Sequence, residues 1–403
     1  TYAFNRFTNK RMTIVSDVLT EAITDGYKRL LLPSVEREVR AELSERAQNQ
    51  SIEIFSMNLE KLLLQPPMKG KIVLGFDPAY RTGCKLAVLD PTGKCLHIDK
   101  IFPTPPMARI KESTVTLLNL IRKYGIEIIA IGNGTASRES ESFVAKVIRE
   151  NNLNVAYTLV SEAGASVYSA SEIARKEFPD FHVEERSAVS IGRRILDPLS
   201  ELIKIDPKSI GVGQYQHDLP QKQLTEKLDF AVLKSVNRVG VDLNTASVEL
   251  LSHVAGLNKA NAQAIVDYRN ENGKFTNRKQ LKNVKKMGDK TFTQCAGFLR
   301  IVDGDEPLDQ TSIHPESYEA AKAFMNRYHV ETLGKPIVLQ ESMESIAREL
   351  NSDVYTVQDM IDNITQPLRD YRDRYAAPVL RSDVLELEDL TEGQQLEGVV
   401  RNL

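Results

Sequence analysis

At 403 residues, with 41% hydrophobic and 27% charged side chains, the chain has the size and composition of two or three globular units, not of a disordered or fibrous protein. It has no apolar run near the ~18 residues of a membrane span and no signal-peptide opening, and Cys84, Cys95 and Cys295 are too few and too scattered for a disulfide framework or a zinc cluster, so a reducing, cytoplasmic setting without membrane contact is expected. The formal charge of −3 conceals a polarity: residues 240–302 carry ten Lys and Arg against five acids, and residues 303–403 carry nine against twenty-one, which sets a block suited to polyanions beside an acidic one.

Residues 1–68 read as helices. Apolar side chains recur at spacings of three and four (Val35, Val39, Leu43, then Ile52, Phe55, Leu59, Leu62, Leu63), giving amphipathic faces expected to pack on neighbours. Pro33-Ser34 marks a helix start, and Gln65-Pro66-Pro67 ends the run. From 69 to 205 the period changes. Strands are expected at 71–76, 84–89 and 95–102, with turns at Arg81-Thr82-Gly83 and Asp90-Pro91-Thr92-Gly93. A helix at 108–124 stops at Gly125, and the apolar strand EIIAIG follows. A helix from Ser137, the strand VAYTLV, a helix from Ser166 and a last helix through 187–204 complete the unit. Three meandering strands followed by alternating helices and strands suit a mixed sheet covered on both faces, and this order resembles the ribonuclease H-like fold.

Residues 206–239 read as a linker and helix. Residues 240–302 repeat a smaller unit twice: helix, short hairpin, helix. The hairpins are Ala255-Gly256-Leu257-Asn258 and Lys286-Met287-Gly288-Asp289, a tandem helix-hairpin-helix pattern. Residues 303–390 read as a further helical unit, acidic, with a strand signal at PIVL (336–339). Residues 391–403 read as an opening strand without partners. With a TYAFNR start that lacks methionine, the chain reads as a piece of a longer protein. The expected class is multidomain α/β plus α.

Two sets of residues could carry chemistry. In a helix-hairpin-helix, glycine permits the tight turn, and amides at the following helix start can point at phosphate oxygens. Gly256 and Gly288, with Lys259, Lys285, Lys286 and Lys290 beside them, are the candidate nucleic-acid contacts. They would hold a backbone without reading its sequence. Asn258 stands in the first hairpin where a second glycine is usual. The alternative is a solvated, lysine-rich helical pair that joins other units.

The second set is acidic. Two-metal phosphodiester cleavage needs three or four carboxylates around ions roughly 4 Å apart. Asp77 ends the first strand, Glu162 follows VAYTLV, and Asp197 lies in the last helix. These are the candidate catalytic residues, with Asp77 and Asp197 as candidate metal ligands for Mg²⁺ or Mn²⁺; no cofactor is expected otherwise. The place near the end of the fourth strand is held by Asn133, and Glu139 lies too far into the next helix to replace it. Each acid also has a plain reading: Asp77-Pro78 opens a turn, Glu162 caps a helix near Ala165, and Asp197-Pro198 marks a helix break. No Walker-type loop, HxxxH or HExxH spacing occurs.

DPAYRTGCKLAVLD, IGNGTASRE, SEAGASVYSASEIA, RRILDPLSELIKIDPKSIGVGQYQHD and VGVDLNTASVELLSHVAGL closely resemble the bacterial Tex proteins, which are transcription accessory factors. The likeness runs along essentially the whole chain. The same core is similar to that of the eukaryotic elongation factor that travels with RNA polymerase and histones. The resemblance implies a YqgF-type ribonuclease H-like domain, tandem helix-hairpin-helix domains, a further helical domain, and an OB-fold RNA-binding domain of which residues 391–403 would be the start. It implies RNA or DNA as ligand, RNA polymerase or ribosome-associated machinery as partner, and a binding scaffold whose nuclease-like domain lacks a full carboxylate set. Ala79 departs from the glycine usual after Asp-Pro, and PLRDYRDRY (367–375) lacks a usual proline after its Arg-Asp pair. The alternative is a metal-dependent nuclease or junction resolvase using Asp77, Glu162 and Asp197. A third reading has the acidic 303–403 block dock a basic partner.

Overall fold

The structure is a computed structural model that describes residues 2–8, 14–350 and 352–375, with Leu380 and Gly393. It opens with helices α1 (Tyr2–Thr8) and α2 (Ser16–Asp25), a π-turn over Gly26–Leu31, and the long α3 (Leu32–Leu63). Among the described residues, it is the second half of α3 that packs on the rest of the molecule. Ile52, Leu59 and Leu63 are buried there, whereas Val35, Val39 and Leu43 are exposed. The packing expected for those three is therefore not found among the described residues, because no described element lies over that half of the helix.

The sheet unit follows as β1 (Val73–Asp77), β2 (Cys84–Leu89), β3 (Cys95–Ile101), α4 (Ile110–Tyr124), β4 (Ile128–Gly132), α5 (Ser137–Glu150) and β5 (Ala156–Val160). Next come α6 (Ala165–Ala170), α7 (Glu172–Glu177), α8 (Val183–Leu196) and α9 (Pro198–Leu202). The strands lie in the order β3-β2-β1-β4-β5, antiparallel through β1–β3 and parallel through β1, β4 and β5. This is the mixed sheet of the ribonuclease H-like topology. Because side chains alternate across a strand, Leu74, Phe76, Leu86, Ile129 and Ile131 meet α4 and α5 on one face. Val73, Ala87, Leu89, Ile128 and Ala130 meet α8 on the other.

The expected helix through 187–204 is two helices. Asp197 is extended (φ −153°, ψ 92°) and Pro198 opens α9, where the missing proline N–H costs nothing. What seats α8 is a close approach of two glycines. A Cβ on Gly75 would run into the Ala188 carbonyl, and one on Gly192 would lie 3.2 Å from the Gly75 Cα.

The remaining elements are α10 (Gln221–Val239), β6 (Val241–Asp242), α11 (Val248–Ser252), α12 (Lys259–Asn272), α13 (Asp289–Cys295), β7 (Leu299–Arg300), α14 (Tyr318–Arg327), α15 (Met343–Glu349) and α16 (Val354–Thr365). The end of α3, α10 and both hairpins share one core, including Leu59, Leu228, Leu251, Ile265 and Leu281. The helical unit from Leu308 to Ile364 has a core of its own. The strand expected at 336–339 is irregular chain: PIVL has the composition of a strand, but no strand pairs with it. Residues 391–403, where an OB-fold start is expected, lie outside the described residues apart from Gly393. Among the described residues no helix is long and apolar enough to cross a membrane.

Candidate nucleic-acid interface

The two hairpins are one turn used twice. Leu257 N–H donates to Val254 O at 3.0 Å, and Met287 N–H donates to Val284 O at 3.1 Å. Leu257 and Met287 plug the core beneath. By this match Gly256 corresponds to Lys286, and Asn258 to Gly288. Gly256 has φ +83°, and a Cβ there would lie 2.6 Å from Gln294 Cβ, so both conformation and space require glycine. In the second hairpin the left-handed residue is Lys286 (φ +67°), not Gly288, which is extended (φ −84°, ψ 165°) as the residue before α13. A lysine in that region is strained by roughly 1 kcal/mol. Its carbonyl accepts from Asn261 Nδ2 at 2.9 Å, a bond from the first hairpin's helix that ties the two turns side by side.

Charge and amides differ between the turns. Asn258 Oδ1 accepts from Ala260 and Asn261 N–H at 2.9 and 3.0 Å, so the amides opening α12 are already capped. Gly288 has no side chain to cap α13. Lys259, Lys285, Lys286 and Lys290 are all exposed, and among the described residues none of them forms an ion pair. Lys282 differs in pairing with Asp289 at 3.2 Å. Lys285, Lys286 and Lys290, unpaired beside the uncapped amides of α13, can hold phosphate oxygens, with Lys259 adding charge at the capped turn.

The acidic candidates separate. Asp77 ends β1 in the row Asp77–Lys85–Lys100 across β1, β2 and β3, on the face that α8 covers. Burial raises its pKa to about 6; a hydrogen bond with Ser187 works against that, Glu162 adds to it, Lys85 opposes it and Glu184 adds to it. Glu162 does reach this edge: its carboxylate lies over Gly132 and Gly134, where a Cβ would collide with it. It does not cap α6, whose preceding residue is Gly164 without a side-chain cap. Asp197 is elsewhere. Asp77 bonds Ser187 in the first half of α8, and Asp197 follows its last residue, about 15 Å along the axis. There its carboxylate accepts from Ser200 Oγ at 2.7 Å and from Arg372 Nη1 at 2.7 Å.

The acid that α8 does bring to Asp77 is Glu184, in its first turn. It was not singled out from the sequence because the helix was placed from 187. The signal was Glu185, three residues after His182, whose side chain accepts from the His182 N–H at 2.7 Å. Between the acids sits Lys85, 5% exposed, donating to Thr82 O and Oγ1 at 3.1 and 2.7 Å and paired with Glu184. Asn133 turns its Oδ1 to the Glu162 N–H at 3.3 Å, and Glu139 accepts from Tyr80 Oη at 2.9 Å. Among the described residues no three His, Cys, Asp or Glu side chains are placed to hold a metal ion. With an ammonium among the carboxylates and an amide at the fourth strand, the donor set does not fit a two-metal centre.

Comparison with known proteins agrees with the order of the units. A family profile described as the Tex protein YqgF-like domain matches residues 71–196, a helix-hairpin-helix motif matches 236–300, and a further HHH domain matches 306–372. The chain is 54% identical over all its length to 57% of the protein YdcI of Bacillus subtilis. It is 43% identical over 94% of its length to 52% of the "Transcriptional accessory protein Tex" of Neisseria gonorrhoeae. It is 40% identical over 96% of its length to 45% of the human "S1 RNA-binding domain-containing protein 1". It thus spans about half the length of the curated relatives it matches. With a ribonuclease H-like sheet unit, twin hairpins and a second HHH domain in the same order, the chain belongs to the Tex family.

Proposed function

We propose that this chain is the nucleic-acid-gripping part of a transcription accessory protein, holding an RNA or DNA backbone through its hairpin lysines without reading sequence. The ribonuclease H-like unit then serves as scaffold, without a metal and without cleavage. The observation that carries the first part is the set of four exposed hairpin lysines, none of which forms an ion pair among the described residues. Phosphate contacts position a strand and do not specify it. Support for the second part is the buried Lys85 among the acids and the Asn133 amide at the fourth strand. The role in transcription is carried over with the name of the gonococcal relative; RNA polymerase or ribosome-associated machinery as what it serves rests on the sequence resemblance alone.

The test is fluorescence anisotropy of labelled single strands and duplexes across a salt series. Reversing Lys285, Lys286 and Lys290 to Glu lowers affinity about tenfold or more at low salt. It also reduces the slope of log affinity against log salt by about 2–3. Affinity unchanged at low salt refutes the lysine interface. Separately, end-labelled strands, duplexes and four-way junctions stay intact with Mg²⁺ or Mn²⁺; cleavage that disappears in Asp77→Ala overturns the scaffold reading.

A further inference from the structure

At each end of the 306–372 unit, which has a separate core, a buried arginine bonds it to its neighbours. At the first junction Arg278, 1% exposed, comes from the hairpin unit. Its Nε donates to Leu299 O at 2.6 Å, and its Nη1 to Ile313 O at 2.8 Å and Tyr318 Oη at 2.6 Å; Nη2 donates to Thr311 O. Asp309 supplies the counter-charge, its carboxylate 4.0 Å from Nε and accepting the Arg278 N–H at 2.7 Å. Most of these acceptors are backbone carbonyls, which cannot turn away without unravelling the chain around them, and salt does not compete for them as it does for ion pairs.

The second junction is built mostly from side chains, with Arg300 Nη1 donating to Arg369 O at 3.4 Å and Tyr371 packed on the hairpin core. Arg372, 3% exposed, makes a two-point bond to Asp370 (Nε–Oδ1 3.0 Å, Nη2–Oδ2 2.8 Å). Its Nη1 crosses to Asp197 in the sheet unit at 2.7 Å. Lys69, ahead of β1, crosses the other way to Asp370 at 3.2 Å. Tyr371 lies 5.2 Å beneath Arg238 of α10. Under this turn, between the sheet unit, the hairpin unit and Leu368, is a cleft of about 720 Å³, so the junction is not close-packed as a domain core is. Polar junctions of this kind between domains allow relative motion.

We propose that the 306–372 unit pivots about Arg278, and that the Asp197–Arg372–Asp370–Lys69 chain is the latch that holds it against the sheet unit. Opening the latch swings the acidic unit away while the hairpin lysines stay where the shared core holds them. The side-chain bonds that cross to the sheet unit can exchange for water by rotamer change alone, and the carbonyl cage at Arg278 cannot.

Double electron–electron resonance tests this, with nitroxide labels at exposed Arg122 of α4 and Tyr355 of α16, in the full chain with partly exposed Cys95 replaced by Ser. A second pair, Arg122 with Glu271 of α12, reports on the sheet and hairpin units. Expected is a narrow Arg122–Tyr355 distribution in the parent. It should gain a population shifted by several ångströms in Arg372→Gln and in Asp197→Ser, growing with salt, while Arg122–Glu271 stays narrow. Asp197→Ser keeps an oxygen to cap α9 but is too short to reach Arg372, so it tests the latch even if Arg372→Gln does not fold. Equal distributions in parent and Asp197→Ser overturn the latch, as does equal broadening of both label pairs.

Discussion

The acidic sheet edge and the basic hairpins are both concentrations of charge at the ends of secondary structure, and they differ in what answers the charge. At the sheet edge the protein answers it itself: Lys85 faces Glu184, Ser187 bonds Asp77, Tyr80 holds Glu139, and Asn133 holds the loop of Glu162. At the hairpins four lysines have no ion-pair partner among the described residues. A cluster with an internal counter-ion contributes to the fold, whereas one without keeps its field for a ligand. The same contrast recurs in miniature between the turns, since Asn258 caps α12 and nothing caps α13.

The substitution with the largest expected effect takes the internal answer away. Lys85→Met keeps the stem and removes the ammonium, leaving the Thr82 carbonyl unpaired and the acids facing each other. We expect a loss of about 2–4 kcal/mol in urea denaturation. The Asp77 carboxyl should then titrate still higher by carbon-detected NMR, because Lys85 now holds it down. Unchanged stability with an unchanged titration would mean that the edge is not neutralised by Lys85. Gain of Mn²⁺ binding in the variant would sharpen the comparison, showing that the lysine stands where an ion could.

Next in size is the effect of Asp77→Asn, which is pH-dependent. The folded pKa of Asp77, about 6, lies above its ordinary 3.8. Its contribution to stability is therefore full below about pH 4 and is lost as pH rises through 6. At pH 7.5 the ionised, mostly buried carboxylate costs roughly 2–3 kcal/mol relative to its protonated form. Asparagine resembles the protonated form, so the variant should be more stable than the parent at pH 7.5 and equal to it near pH 4. A stability difference that does not change with pH would remove burial as the cause.

How much of this was legible in the sequence follows from which interactions are local. The strands, their order and both hairpins were readable, because alternation and turn residues are written into neighbouring positions. Asp77 and Glu162 are legible as candidates because each stands at the end of an apolar strand. Asp197 was misplaced by direction: membership of the last helix says nothing about which end meets β1, and the Gly75–Gly192 contact sets that. Glu184 and Lys85 were missed because a covering helix and a neighbouring strand bring them together over long separations. PIVL shows the converse, since strand composition without a partner makes no strand. At the second hairpin, glycine at 288 suggested the turn residue, but Val284 and Met287 fix the register to the core and leave Lys286 in the left-handed position.

The smallest prediction tests the contrast between the two turns. If occupied amides are what separates them, freeing those of α12 should make the first hairpin more like the second. Asn258→Gly removes the cap to Ala260 and Asn261 while leaving the backbone free to keep its extended geometry (φ −125°, ψ 174°). Replacing an N-cap Asn by Gly costs only a few tenths of a kcal/mol, so the unit should remain folded. With Lys259 one residue away, nucleic-acid affinity at low salt should rise modestly, by about twofold, with the slope against salt little changed because no charge is added. A fall in affinity with stability intact would show that the Asn258 side chain is itself a contact, and that the first turn grips through its cap where the second grips through its backbone.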